Sequence, residues 1–343
     1  MRKLAVVPGA IAFAFLGCGD NADVEPPTPS PEPVSLDFGP YDVAAGEEII
    51  DKCVQITIGN TELLNINSVE LTTGVGFHHS NWFYVPESTF PGADGTYVCD
   101  DRDYNEAVAA IFGGVLFAQS TQTPHEIQGF ASGVVLQIPP NSKLVAQIHL
   151  LNASEAPVTL QPNIKLTPIA ASEVTTVLSG ISFENQALAL PPNKQSRFTV
   201  ECEIGETHRM LLDRDPDFKI YYALAHYHEL GTGLTVEAVR SDGTAATVFE
   251  TTTLVGDTLG GMVDPAFDMT GFTKIRMSCD FFNPRAQTVR WGFGKQEMCV
   301  FLAFSDSQFN WGGGVLSEES PQNPVEVGGA THFTNPCTVF AND

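Results

Sequence analysis

The sequence predicts an all-β protein built of antiparallel β-sandwiches, on three observations. Segments such as KLVAQIHLL (Lys143–Leu151), FKIYYALAHYH (Phe218–His228), KIRMSCDFF (Lys274–Phe282) and EMCVFLAF (Glu297–Phe304) are short and rich in β-branched and aromatic residues, with Gly, Pro, Asn or Asp between them. The 30 glycines and 23 prolines are spread along the chain, which suits many turns and few long helices. At 343 residues the chain is long enough for two domains, taking roughly 150 residues for each. No repeat of fixed period is visible, which disfavours a solenoid or a propeller.

The chain opens with Arg2 and Lys3, followed by an apolar run from Leu4 to Leu16 that ends in Gly17 and Cys18. This is the charged region and apolar core of a secretory signal over residues 1–17, too short to span a bilayer as a helix. A small residue directly before a cysteine is similar to a bacterial lipobox, with Phe15 in place of the usual Leu, so Cys18 is the expected lipidated first residue. Residues 18–36 then form a tether, because NADVEPPTPSPEP is acidic, Pro-rich and poor in apolar residues, and cannot bury surface. The expected location is the cell envelope, with membrane contact only through the lipid anchor, the alternative being ordinary secretion.

The globular part divides into residues 37–172 and 173–343, because the strand pattern lapses between Pro168 and Gly180 and restarts with a turn at Pro191–Pro192. The main helical candidate is Tyr104–Gln119, where Gly113–Gly114 reduces the expectation to a short helix or an irregular connector. Seventeen Lys and Arg against 41 Asp and Glu give a net charge of −24, with no basic stripe, so neither nucleic acid nor an anionic membrane surface is an expected partner. Setting Cys18 aside from the seven cysteines leaves an even number and no CxxC pair, which favours three disulfides over a zinc finger or a thioredoxin-type site. The count by itself leaves many pairings open.

Histidine carries the strongest chemical signal. Of the eight in the chain, five fall in three places: His78–His79 in VGFHHSNWF, His149 in AQIHLLN, and His226 with His228 in LAHYHELG. On a strand, i and i+2 face the same way, so His226 and His228 can present two imidazoles to one ion with Tyr227 on the opposite face. Adjacent residues face opposite ways, so His78 and His79 can share an ion only at a bulge or a strand end. Met298, in WGFGKQEMCVFLAF, is by default core filler, yet a His-His-Met set is a soft site suited to Cu(I).

Taken together, HH, then QIH, then HYH followed by LG, then GFG…EMC resembles the copper type II, ascorbate-dependent monooxygenases, the family of peptidylglycine α-hydroxylating monooxygenase and dopamine β-monooxygenase. The resemblance extends from Cys53 to Cys337. It implies two jelly-roll-like β-sandwich domains in tandem, each contributing one mononuclear copper to a solvent-filled cleft between them. By motif, His78, His79 and His149 would hold the electron-supplying copper, and His226, His228 and Met298 the copper where oxygen and substrate meet. It also implies the disulfides Cys53–Cys99, Cys202–Cys337 and Cys279–Cys299. His125, His208 and His332 match no ligand motif and are read as surface or packing residues.

The implied chemistry is insertion of one atom of O2 into an aliphatic C–H bond, the other leaving as water, with ascorbate or another one-electron reductant loading two copper ions per chain. The substrate would be a small organic molecule. Where the peptide-amidating enzymes grip a peptide carboxylate, this chain has Leu224, Val300 and Phe301 or Leu302, which cannot replace a bidentate cation. Peptide amidation is therefore disfavoured. A non-catalytic copper-binding or electron-transfer surface lipoprotein of the same fold is the alternative. Gln147 and Glu229 lie near the ligand motifs without an assignable role, and the sequence is silent on oligomeric state.

Overall fold

The computed structural model describes residues 31–292, 294–315 and 321–342. The expected signal segment, Cys18 and most of the tether lie outside the described residues.

The architecture is all-β and sandwich-like, as the segment pattern predicts. In the first half, one sheet runs in the order Val34–Asp37, Asn163–Ile169, Leu64–Thr72, Val134–Ile138 and Thr176–Val177, with His125–Gly129 also paired to Leu64–Thr72. The facing sheet runs Gly95–Val98, Glu48–Thr57, Ser142–Leu151, Phe77–Pro86 and Gly114–Ala118. The second half repeats the plan with two six-stranded sheets. One is centred on Lys219–His226, Val300–Ser305 and Ser179–Asn185, the other on Gly231–Val239, Lys274–Asn283 and Lys194–Glu203. The short strand Thr176–Val177 still pairs with Val134–Ile138, so the first unit runs to Leu178, a few residues beyond 172 and inside the expected boundary region.

Three pairings are parallel: Thr176–Val177 with Val134–Ile138, Ser179–Asn185 with Asn310–Val315, and Lys194–Glu203 with Ala330–Pro336. In each, one strand returns after a long excursion through the opposite sheet rather than through a tight turn, so it can enter in the same direction.

Each sandwich closes over its own core. Trp82, Ile66, Leu71 and Leu116 anchor the first, and Phe183, Phe198, Phe281 and Phe301 the second. Alternation along Lys194–Glu203 shows the cause, because Ser196, Phe198, Val200 and Cys202 point inward while their neighbours are partly exposed. The first core also takes in Tyr222, Leu224 and Phe304 of the second half, with Phe130 edge-on to Tyr222 and Phe304 at 6.0 and 5.7 Å. The halves are therefore joined by apolar packing as well as by the chain.

The helical candidate resolves into a helix at Glu106–Phe112, capped by the Asn105 side chain on the Val108 N–H, and a strand at Gly114–Ala118. Gly113 is required where they meet, since a Cβ there would lie 1.7 Å from the Tyr84 carbonyl oxygen. All three disulfides form as the resemblance implies, Cys53–Cys99, Cys202–Cys337 and Cys279–Cys299. They fit an oxidising compartment outside the cytoplasm. Among the described residues no helix is long and apolar enough to cross a membrane.

Candidate metal centre

The five histidines singled out by their spacing converge on one place where the two sandwiches meet. His78 and His79 begin the strand Phe77–Pro86, which pairs with Ser142–Leu151. The register matches His79 with His149 and then Phe77 with Leu150, so His78 is an extra, bulged residue. That bulge is the condition under which neighbouring histidines can turn to one side. The ring centroids of His78 and His149 are 4.3 Å apart, those of His79 and His149 5.2 Å, and His78 Nδ1 lies 2.8 Å from His79 Nδ1.

His226 ends its strand and His228 lies just past it. The i, i+2 spacing still holds. Both rings enter the site, 5.4 Å apart, while Tyr227 is fully buried in the second core. His79 is 4.8 Å from His226 and 6.1 Å from His228, and the latter ring is 5.6 Å from His78. Two triads, His78–His79–His149 and His79–His226–His228, each keep their candidate ligand atoms within 4.8 Å of one another. Met298 precedes the strand Val300–Ser305 rather than lying on it, and forms part of the wall of the cavity that also exposes His79, His149 and His226.

Carboxylates and carbonyls orient the imidazoles. His149 Nε2 is 2.9 Å from Glu48 Oε1, and because a carboxylate only accepts, that nitrogen carries the proton and Nδ1 the lone pair. His228 Nδ1 is 2.9 Å from the Gln296 carbonyl oxygen, which likewise leaves the lone pair on Nε2. That Nε2 is buried without a hydrogen-bond partner among the described residues, a state that a metal ion relieves. The Glu297 carboxylate, fully buried, accepts the backbone N–H groups of His228 at 2.9 Å and Leu230 at 2.7 Å. It thereby ties the HYH turn to the residue before Met298.

Burial, reinforced by the neighbouring imidazoles, holds the His78 ring down at about pKa 2 and His226 at about 3. His79 is pushed well below its ordinary value by the same causes, and burial lowers His149 and His228 against the pull of Glu48 and of the Gln296 carbonyl. The five rings are therefore neutral near pH 7 and offer lone pairs without first losing a proton. Neutral imidazoles with a thioether nearby are a soft donor set of the kind that suits copper, and because His79 offers one ligand atom and stands in both groups, it can serve only one of them at a time.

The candidate ligands of the two halves lie close together and border one cavity lined by residues of both halves. The segment Gln119–Thr123 of the first half bridges to the second beside it. Leu259 N–H donates to Ser120 Oγ at 2.8 Å, Gly256 N–H to the Thr121 carbonyl at 3.0 Å, and Thr121 Oγ1 donates to the Tyr227 carbonyl at 3.2 Å. Ser120 Oγ in turn donates to the buried Glu126 at 2.7 Å.

Beside the histidines lies a cavity of about 450 Å3. Its wall is largely apolar, including Phe83, Val300, Leu302 and Trp311, with the carboxyls of Glu106 and Glu184 and no Lys or Arg among the described residues. Burial raises the Glu106 carboxyl to about pKa 7 and Glu184 in the same direction. Of the residues expected in place of a carboxylate clamp, Val300 and Leu302 line this cavity, whereas Leu224 and Phe301 point into the cores. Gln147 also lines it, held by its donation to the Ile50 carbonyl at 2.7 Å, while Glu229 turns outward to Arg285.

The remaining histidines stand apart. His125 is exposed and pairs with Glu70 at 2.9 Å, His208 is buried 2.8 Å from the Arg214 carbonyl and stacked on Trp311, and His332 lies on the strand Ala330–Pro336. Glu48, Glu297 and the Ser120–Thr121 pair were not indicated by any spacing. Only Glu297 had a sequence cue, its place directly before Met298.

No family model and no curated protein matches the chain. Among solved structures it is similar to a protein described as secreted from Parabacteroides distasonis, at 11% identity over 80% of this chain and 89% of that one, with a TM-score of 0.19. The exported PBSX protein XepA matches at 8% identity over 79% and 86%, also with a TM-score of 0.19. The tandem CBM22 domains of Paenibacillus barcinonensis Xyn10C match at 12% over 82% and 99%, again at 0.19. Likenesses of this size carry no argument about the site.

Proposed function

We propose that this protein is a copper-dependent monooxygenase that hydroxylates an aliphatic C–H bond of a small organic substrate, using O2 and a reductant such as ascorbate. The observation that carries the reading is the meeting of His78, His79, His149, His226 and His228, all buried and neutral, beside a cavity that Met298 also lines. Copper supplies the one-electron redox chemistry when bound. The rest falls to this chain's residues. Glu48 and the Gln296 carbonyl fix which nitrogen of His149 and His228 faces the ions, and Glu297 holds the HYH turn. The cavity, with its largely apolar wall, is of a size to receive a small organic substrate. With no Lys or Arg on that wall, a substrate carboxylate has no ionic partner, which argues against peptide amidation. Cys18 would carry the lipid that holds the protein at the cell envelope.

The test begins with metal analysis of the copper-reconstituted protein and Cu(I) X-ray absorption. The expected result is two coppers per chain with one sulfur-ligated site. Ascorbate-dependent O2 consumption yielding a hydroxylated product would follow, and would fall to background in Met298→Ala and in His149→Ala while the fold is retained. Copper without turnover would favour a surface electron-transfer protein. Unchanged copper loading and turnover in Met298→Leu would overturn the assignment of the sulfur ligand.

A further inference from the structure

We propose that Glu106 and Glu184 make the cavity beside the histidines a binding site for a small organic cation, an ammonium group carried on an apolar body. As a ligand site it stands on the cavity alone. As the class of substrate that is hydroxylated, it rests on the copper-binding reading.

Each half supplies one carboxyl. Glu106 opens the helix Glu106–Phe112 of the first half, and Glu184 lies on the strand Ser179–Asn185 of the second. Both line the cavity. Glu106 Oε2 accepts from Asn81 Nδ2 at 3.4 Å and Glu184 Oε1 from Gln186 Nε2 at 3.1 Å, so among the described residues each carboxyl takes one side-chain amide and no cation. An ionised carboxylate offers about four acceptor positions, and most of them are left open here. Burial lifts the Glu106 carboxyl, and the charge of Glu184 pushes it the same way. Two like charges in an apolar chamber are costly unless a cation joins them.

The rest of the wall selects what carries that cation. Phe83, Val115, Leu302 and Trp311 present apolar surface, and aromatic rings attract an ammonium group as well as hydrocarbon. Trp311 is fixed by its donation to Ser307 Oγ at 2.8 Å and by stacking on His208. Ile50 and Phe340 line the cavity yet are 45% and 47% exposed, which puts its opening beside them. A net charge of −24 draws cations towards that opening. A hard divalent ion fits poorly, since it needs about six oxygen ligands and this wall offers mostly carbon.

The experiment is calorimetric titration of the purified full chain, without added copper, with hexylammonium and with its neutral and anionic counterparts, hexanol and hexanoate. Hexylammonium should bind about 10–100-fold more tightly than hexanol, the size of a hydrogen bond to a charged group, and hexanoate should not bind. Glu106→Gln and Glu184→Gln keep the shape of the side chain and remove its charge. Each should cut the preference for hexylammonium over hexanol about 10-fold while leaving hexanol binding as it was. Equal affinity for the two compounds in the unmodified protein would overturn the proposal, as would a preference that survives in a folded double variant carrying both substitutions. Metal analysis of the same samples after copper reconstitution separates this proposal from the copper reading. The preference without copper retention would uphold the cation site and overturn the copper reading, and copper retention without the preference would do the reverse.

Discussion

Glu297 holds His228 by its backbone rather than by its ring: the carboxylate takes the His228 N–H at 2.9 Å while the imidazole is steered separately by the Gln296 carbonyl. Two successive residues of one turn thus set both the position and the rotation of a candidate ligand that lies past the end of its strand. Glu297→Ala should orphan the buried N–H groups of His228 and Leu230, at about 1–3 kcal/mol each. It should also weaken copper binding at the second site by about 10–100-fold, as loss of a ligand-orienting partner does. Urea denaturation and competition with a Cu(I) chelator read the two effects, and Glu297→Gln, which keeps one acceptor oxygen, should show a smaller change in both.

Glu48 plays the matching part in the first half, but from an exposed position. Its loss should therefore cost little stability while freeing the His149 ring to change tautomer. Glu48→Ala is expected to leave the unfolding midpoint nearly unchanged and to lower affinity at the first site by about 10-fold. A large fall in midpoint would mean that Glu48 acts mainly as a structural contact.

The expectations drawn from strand-like segments and from histidine spacing were legible because both follow from the two-residue period of a strand. His226, Tyr227 and His228 alternate as that period requires even though the strand stops at His226. The bulge that unites His78 and His79 appeared only as a condition, since nothing in VGFHHSNWF specifies where its partner strand slips register. Contacts between the halves were not legible at all. No sequence pattern marks Ser120 and Thr121, and their bonds to Leu259 and Tyr227 join positions more than a hundred residues apart.

Ser120 is the centre of that contact, accepting from Leu259 and donating to Glu126. Ser120→Ala should destabilise the protein by about 1–3 kcal/mol, since it strips a partner from two buried groups. Faster hydrogen exchange at the Leu259 amide would locate the loss at the junction. Unchanged exchange there would show that the halves are held by the Phe130 packing instead.

Burial raises the Glu126 and Glu106 carboxyls to about pKa 7, above the ordinary value of 4.5. A raised folded-state pKa means that the folded protein holds a proton which the unfolded chain has already released. Stability from these groups is thus complete below about pH 4.5 and is lost as pH rises to about 7. Unfolding free energy measured from pH 4.5 to 8 should carry this falling contribution, and Glu126→Gln should flatten the slope by an amount of order 3 kcal/mol across the window. An unaltered slope would place the titration elsewhere.

Gly113→Ala should be among the most damaging single substitutions outside the site. Its methyl would strike the Tyr84 carbonyl of the strand that carries His78 and His79, and neither backbone can yield alone. Loss of soluble folded protein, or a fall of several kcal/mol in stability, is expected by the overpacking mechanism. A variant as stable as the parent would show that the helix can shift away from the strand.

The parallel pairing of Ala330–Pro336 with Lys194–Glu203, locked by the bond from Cys337 to Cys202, sets the order of events during synthesis. A ribosome or translocation channel delivers the chain from its beginning, so the strands of the first sandwich are all present once Leu178 has emerged, while its core still lacks Tyr222, Leu224 and Phe304. The second must wait with an open sheet edge until the residues around Cys337 arrive, some 135 positions after their partner strand. A chain cut short before that point would keep His78, His79 and His149 on the strands of the first sandwich and His226 and His228 in a second one unable to close. Bringing the five histidines together thus depends on a strand that arrives long after the residues it pairs with.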